Sequence, residues 1–215
     1  MVGIGGLGCP AAIVLARAGV GTIGIVDDDV VDVTNLHRQI LFRDKDIGSP
    51  KSPAASHALG AFAPRVRVEA YETRFLPANS MDLAARYDLV VECSDNLETK
   101  FLAADVARAL HKPIVHGAAM GWYGTALAVG ALGKPCYRCL FEDLPDNVPN
   151  SAEVGVVGPM VGVVGAAQAD LALGMLAGKS VHGTLFTLDA KSLAIRRRRI
   201  FPRSSCALCG ITQIT

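Results

Sequence analysis

Gly3-Ile4-Gly5-Gly6-Leu7-Gly8 stands at the head of the chain, and an apolar helical stretch and then Asp27 follow it. A loop so rich in glycine lets backbone N–H groups approach phosphate oxygens that any Cβ would hold off. Residues 9–18 are small and aliphatic and predict a helix, with Pro10 tolerated in its first turn and Gly19 ending it. Thr22-Ile23-Gly24-Ile25-Val26 is the short apolar run that a buried parallel strand needs. Asp27 falls at the carboxyl end of that strand, where nucleotide-binding α/β folds keep the acid that holds a ribose hydroxyl. The stretch reads as a grip for a mononucleotide, with a plain tight turn as the competing reading.

Working outward, 215 residues give room for one large domain or two small ones, and 51% hydrophobic residues with 22 glycines suit a closely packed α/β protein. A net charge of +1 excludes a whole-molecule electrostatic trap for nucleic acid or an acidic membrane. No basic segment precedes an apolar core at the start. Residues 154–167 are strongly apolar but carry Pro159 and run into Gln168 and Asp170. A membrane span needs about 20 residues, so a buried crossover and helix are expected there. A cytoplasmic chain with no nucleic-acid or membrane partner is the expectation, and in that compartment six cysteines favour metal or catalysis over disulfides.

Short apolar runs alternate with helical stretches as far as residue 116. Strands are expected at 22–26, 66–71, 89–91 and 113–116, and helices at 9–18, 53–62, 81–86 and 98–110. This alternation predicts a mostly parallel sheet with helices on both faces. Polar loops at 28–39 and 44–53 leave the strand ends, where α/β proteins place ligand groups. From Gly124 the pattern changes, with strands expected at 125–131, 184–188 and 193–200 and a long helix at 161–176. No repeat or linker divides the chain, so one domain is expected, with a nucleotide-binding half at 1–121 and a second half at 122–215.

Cys136-Tyr137-Arg138-Cys139 and Cys206-Ala207-Leu208-Cys209 are two C-x-x-C knuckles. Four thiolates in two such pairs can close a tetrahedral zinc shell, which is structural and joins the end of the chain to its middle; two unrelated thiol pairs or a redox couple are the alternative. Cys9 and Cys93 have no obvious base partner, so nothing supports a nucleophilic cysteine. Asp95 follows a buried strand, where an acid holds Mg²⁺ on phosphates or else caps the next helix. Arg38 and Lys51 are the cations of the two polar loops, suited to offset phosphate charge, or else simply solvated. Arg196 to Arg199 would put two arginines on each face of a strand, as a docking surface for an acidic protein or, less simply, for nucleic acid. The five histidines show no ligand spacing.

Together these pieces resemble the ubiquitin-activating-enzyme-like superfamily, in particular its MoeB/ThiF/HesA group of sulfur-carrier adenylyltransferases. The residues that carry the resemblance are Gly3-x-Gly5-Gly6-Leu7-Gly8, Asp27-x-Asp29, Asn35-Leu36-His37-Arg38-Gln39, Gly48-x-Pro50-Lys51, Cys93-Ser94-Asp95-Asn96, Gly117-Ala118-Ala119 and both knuckles. They occur in the family's order over nearly the whole chain. The resemblance implies a Rossmann-like sheet, a zinc-stapled and carrier-binding second half, and a homodimer. It implies that Asp27 holds the ATP ribose and that Gly3, Gly5, Gly6 and Gly8 line the phosphates. Asp29, Asn35 and Gln39 would be supporting groups, Arg38 and Lys51 would bind phosphate, and Asp95 would bind Mg²⁺. The implied substrate is the C-terminal glycine carboxylate of a small ubiquitin-like sulfur-carrier protein ending in Gly-Gly, which attacks the α-phosphorus of ATP to give an acyl-adenylate and pyrophosphate. A carboxylate is already ionised at neutral pH, so alignment and charge neutralisation replace a general base.

Two departures qualify the resemblance. The family's working cysteine precedes a Glu-x-Gly segment, where this chain reads Pro149-Asn150-Ser151-Ala152-Glu153-Val154-Gly155, so adenylation without a thioester step is expected. The family also has a strand and a helical arm before the glycine loop, whereas Met1-Val2 precede it here; a truncated first strand, with weak stability and activity, is the expectation. Three other readings remain: a superfamily member adenylating a small molecule or tRNA base, a dinucleotide-dependent oxidoreductase, and a non-catalytic zinc-stabilised partner protein. The oxidoreductase would leave Arg38, Lys51, Asp95 and the knuckles without a purpose.

Overall fold

A computed structural model of the chain describes residues 1–142 and 154–210. In chain order the elements are α1 (Gly8–Arg17), β1 (Thr22–Val26), α2 (Lys51–Phe62), β2 (Arg67–Tyr71), α3 (Ser80–Ala85), β3 (Val90–Glu92), α4 (Leu97–Ala109), β4 (Ile114–Met120), β5 (Tyr123–Val129), α5 (Gly158–Leu176), β6 (Thr184–Asp189) and β7 (Ala194–Arg199).

β2 pairs parallel with β1, and β3 parallel with β4. Val2 bridges the two pairs, parallel to Val26 on one side and to Glu92 on the other. The Val2 N–H donates to the Val91 carbonyl at 2.9 Å and the Cys93 N–H to the Val2 carbonyl at 2.8 Å, so the glycine loop starts from the middle of the sheet. Beyond β4 the sheet continues antiparallel through β5, β6 and β7. The expected parallel α/β sheet is therefore present in the first half, and the change of pattern at Gly124 is a change of strand direction.

Successive strand residues alternate between two cores, as the two-residue period of a pleated sheet requires. Ile25, Val91, Val115 and Ala126 face one core with α1, α2 and α5, whereas Val26, Val90, Ile114 and Leu127 face the other with α3 and α4. Helices thus cover both faces. α5 is apolar and long enough to match a membrane span, yet half of that window is buried inside the fold. Its central Gln168 is fully buried and donates to the Glu92 carbonyl at 2.8 Å, which makes α5 a core helix.

The expected elements recur with small shifts at their ends, except that β4, expected to end at His116, runs on through Gly117-Ala118-Ala119 to Met120, paired throughout with β5. α2 begins at Lys51 rather than Pro53, because Pro50 takes the cap position in an extended conformation. α4 is capped by Asn96, whose side chain accepts the Thr99 N–H at 2.9 Å. β7 is the edge strand, and Arg196 to Arg199 are all exposed on it; charge along an edge discourages pairing with other chains.

Candidate functional site

A cleft of about 1320 Å³ opens at the carboxyl ends of the parallel strands, the place where α/β sheets bind ligands. The glycine loop forms its floor. Gly3 has a φ of +87° and so needs glycine, and a Cβ on Gly8 would overlap the Gly3 carbonyl oxygen. Gly3 and Gly8 thereby shape the turn, while Gly5 and Gly6 face the open cleft. Gly8 itself is buried beneath the loop and does not line the cleft.

Asp27 ties the loop to the strand. Its Oδ2 accepts the Ile4 N–H at 2.8 Å and its Oδ1 the Asp29 N–H at 3.0 Å. A carboxylate has about four lone-pair sites, so acceptor capacity remains for a ribose hydroxyl. Burial, partly offset by the Ile4 N–H, holds the Asp27 carboxyl above its ordinary range.

The polar segment after β1 is ordered by a short 3₁₀ turn, Val33–Asn35, whose capping Asp32 accepts the Thr34 N–H at 2.7 Å. The turn aims Arg38. One guanidinium nitrogen donates to the Asn35 Oδ1 at 2.7 Å, and the Arg38 stem lies against Gly6, 3.4 Å from where a Cβ would stand. Gln39 is buried beside Gly5, and its Oε1 has no partner among the described residues. Lys51 enters from the first turn of α2, buried, with its Nζ 2.7 Å from the exposed Asp29 carboxylate. Asp95 is exposed in the cleft and makes no hydrogen bond or ion pair among the described residues. Because Asn96 caps α4, Asp95 is not needed there.

Gly3, Gly5, Gly6, Asp27, Asp29, Asn35, Arg38, Gln39, Lys51 and Asp95 therefore line one cleft. The set offers two cations, a buried acceptor and a partnerless carboxylate around a glycine floor. That combination suits a polyphosphate with a bound cation. Mg²⁺ in particular takes one or two carboxylate oxygens and completes its shell with water and phosphate, which a lone Asp95 can supply.

Several cleft residues escaped the sequence reading. Arg74, on the rim, ion-pairs with Asp28 at 3.7 Å. Below Asp95, Glu92 and Lys100 form a buried pair at 2.8 Å, with the His116 Nδ1 3.5 Å from the same carboxylate oxygen. Burial alone would raise the Glu92 carboxyl, but Lys100 and His116 hold it below its ordinary value; burial lowers His116. Asp95-Asn96 pointed to a site in the sequence, whereas nothing in a lone Glu and Lys eight residues apart marks them as partners.

The knuckles meet against α4, where Arg138 ion-pairs with Asp105 at 3.1 Å. The four sulfurs lie within 4.8 Å of one another, with Cys136–Cys206 at 3.5 Å, Cys139–Cys209 at 3.2 Å and Cys136–Cys139 at 3.9 Å. A tetrahedron of Zn–S bonds of about 2.3 Å places sulfurs about 3.8 Å apart, and a disulfide about 2.05 Å. The set therefore fits a zinc ion. Cys9 and Cys93 are buried and each is pushed up to about 12, mainly by burial, so neither is a nucleophile. Of the stretch where a working cysteine was sought, residues 149–153 lie outside the described residues.

Comparison with known proteins gives four findings. Residues 1–209 match the ThiF family. The chain is 42% identical over 220 residues to the sulfur carrier protein adenylyltransferase of Thermus thermophilus, covering 98% of this chain and 81% of that one. It is 38% identical over 216 residues to the adenylyltransferase and sulfurtransferase MOCS3 of Dictyostelium discoideum, of which it spans about half (51%). Among solved structures, Escherichia coli MccB with MccA-N7isoASN superposes with a TM-score of 0.81 at 17% identity, covering 98% of this chain and 66% of that one; this likeness shows the fold.

Proposed function

This chain belongs to the ThiF family, and on that premise we propose that it is an ATP-dependent adenylyltransferase. It activates the C-terminal glycine carboxylate of a small ubiquitin-like sulfur-carrier protein as an acyl-adenylate and releases pyrophosphate. The observation that carries this reading is that Arg38 from the β1–α2 connection, Lys51 from the first turn of α2 and Asp95 from the β3–α4 turn line one cleft with the glycine loop and Asp27. The Thermus thermophilus relative, named for the same reaction, supports the substrate class.

In this reading Asp27 accepts a ribose hydroxyl, the Gly5 and Gly6 backbone approaches the phosphates, and Arg38 and Lys51 neutralise them. Asn35 steers Arg38, and Asp29 steers Lys51. Asp95 would hold Mg²⁺, which when bound would offset the negative charge of the phosphate oxygens. The carrier carboxylate forms the new P–O bond to the α-phosphorus as the bond to the bridging oxygen breaks. No proton has to move, so catalysis rests on alignment and charge. Zinc at the four cysteines supports structure. The free thiols favour a reducing, cytoplasmic setting, and a homodimer completes the reading.

Exchange of labelled pyrophosphate into ATP in the presence of a sulfur-carrier protein tests it. Arg38→Ala and Asp95→Ala each remove charge that acts on the phosphates, and a loss of about 10²–10³-fold is expected from removing one such group. Wild-type exchange in either variant, or binding of NAD in preference to ATP, would overturn the proposal.

A further inference from the structure

We propose that Lys100 is a positioning residue: held between the Glu92 carboxylate and the Gly117 carbonyl, it fixes the turn that aims Asp95 at the divalent cation on the nucleotide. The inference rests on the adenylyltransferase reading only in assigning that cation to Asp95.

Glu92 is fully buried, and Lys100 nearly so. Glu92 Oε2 accepts Lys100 Nζ at 2.8 Å, and Oε1 accepts both the Ser94 N–H at 2.7 Å and the Ser94 hydroxyl. Lys100 spends a second hydrogen on the Gly117 carbonyl at 2.5 Å. From the opposite face Gln168 grips the Glu92 carbonyl at 2.8 Å, in space left by the missing side chain of Gly117. His116 and the knuckle residue Tyr137 close the remaining side, their ring centroids 4.3 Å apart.

The consequence falls on one residue. The carboxylate holds Ser94 from below, and Asn96 is fixed as the cap of α4. Asp95 lies between them, with both flanks held and its own carboxylate partnerless in the cleft. Lys100 also lines the cleft, one helical turn beyond Asn96. A buried ion pair is a poor source of stability, since apolar residues of similar volume usually serve as well. Its value here is directional: a charge-assisted bond sets an orientation that packing alone leaves loose.

The test measures ATP affinity of the full chain by calorimetry, with saturating Mg²⁺ and with Mg²⁺ left out, alongside thermal unfolding. The variants are Lys100→Met, Lys100→Arg, and the double variant Glu92→Gln with Lys100→Met, which removes both charges and leaves neither buried alone. In Lys100→Met and the double variant the Mg²⁺ enhancement of ATP binding should shrink about tenfold, while metal-free affinity stays within about threefold. Lys100→Arg keeps the charge and should recover most of the enhancement. Loss of overall stability alone would lower the folded fraction without changing that ratio. A folded double variant with wild-type enhancement overturns the proposal, as does a fall confined to metal-free affinity, which would mean that Lys100 touches the nucleotide. Failure of all three variants to fold, the arginine included, would make the pair purely structural and also overturns it. A wild-type chain with Mg²⁺-enhanced ATP binding but no pyrophosphate exchange at saturating intact carrier defeats the adenylyltransferase reading and leaves this inference to be decided by the variants. A wild-type chain without the enhancement overturns the inference itself.

Discussion

Asp27 does two jobs at once: its carboxylate ties the glycine loop to β1 through the Ile4 and Asp29 N–H groups, and its spare lone pairs face the cleft. Burial raises its folded value above the ordinary one. The native state therefore binds this proton more readily than the unfolded chain, so ionised Asp27 works against folding at neutral pH and the burden eases as pH falls. Asp27→Asn removes the buried charge and keeps one acceptor oxygen for one of the two N–H groups. Its melting temperature should stay within a few degrees of wild type at pH 7, and wild type should gain on it as pH falls. ATP affinity should drop roughly 10–100-fold, the worth of a charge-assisted bond of about 1.5–3 kcal/mol; unchanged affinity in binding calorimetry contradicts the ribose assignment. At this scale the sequence was legible wherever chemistry is local. Asp27, Arg38, Lys51 and Asp95 each follow a strand or sit in a polar loop, and all line the cleft. Whether Asp95 capped a helix was open in the sequence, and the Asn96 side chain answers it. Lys100 and Glu92 were hidden, because their pairing depends on how α4 lies against β3 and β4, which no spacing encodes.

Elements were easier to read than partnerships between them. β1 has the bounds expected from its apolar run, and most helix ends moved by a residue or two. Strand direction in the second half was not visible, because an antiparallel strand buried on one face and a parallel one both appear as short apolar runs. The packing of α5 on α1 was equally silent, although one glycine decides it. A Cβ on Gly165 would overlap the Leu7 carbonyl oxygen and crowd Pro10, so α5 lies directly on the backbone at the start of α1, just behind the glycine loop. Gly165→Val should cost about 1–3 kcal/mol by overpacking, or more because backbone must move, and lower the melting temperature by roughly 5–10 °C. It should weaken ATP binding too, since Leu7 belongs to the cleft floor. A variant that melts with wild type contradicts this contact.

Over the whole molecule, the four cysteines join the segment after β5 to the segment after β7, and Tyr137 between them packs on Phe101 and His116. The sequence showed the pairs but not this second role, by which the knuckle closes the core under α4. Metal analysis should find one zinc per chain, and chelation should remove a few kcal/mol of stability, a fall of roughly 10 °C at about 2–4 °C per kcal/mol. Thiols titrating as disulfides, or a melting curve indifferent to chelator, would contradict the zinc assignment. On the adenylyltransferase reading the cleft presents the α-phosphorus of ATP to the tail of another protein. Its most direct test is pyrophosphate exchange with a sulfur-carrier protein whose terminal glycine is present or removed. Label should enter ATP only with the intact tail; exchange that ignores the tail, or none at saturating Mg²⁺, ATP and intact carrier, would overturn that reading.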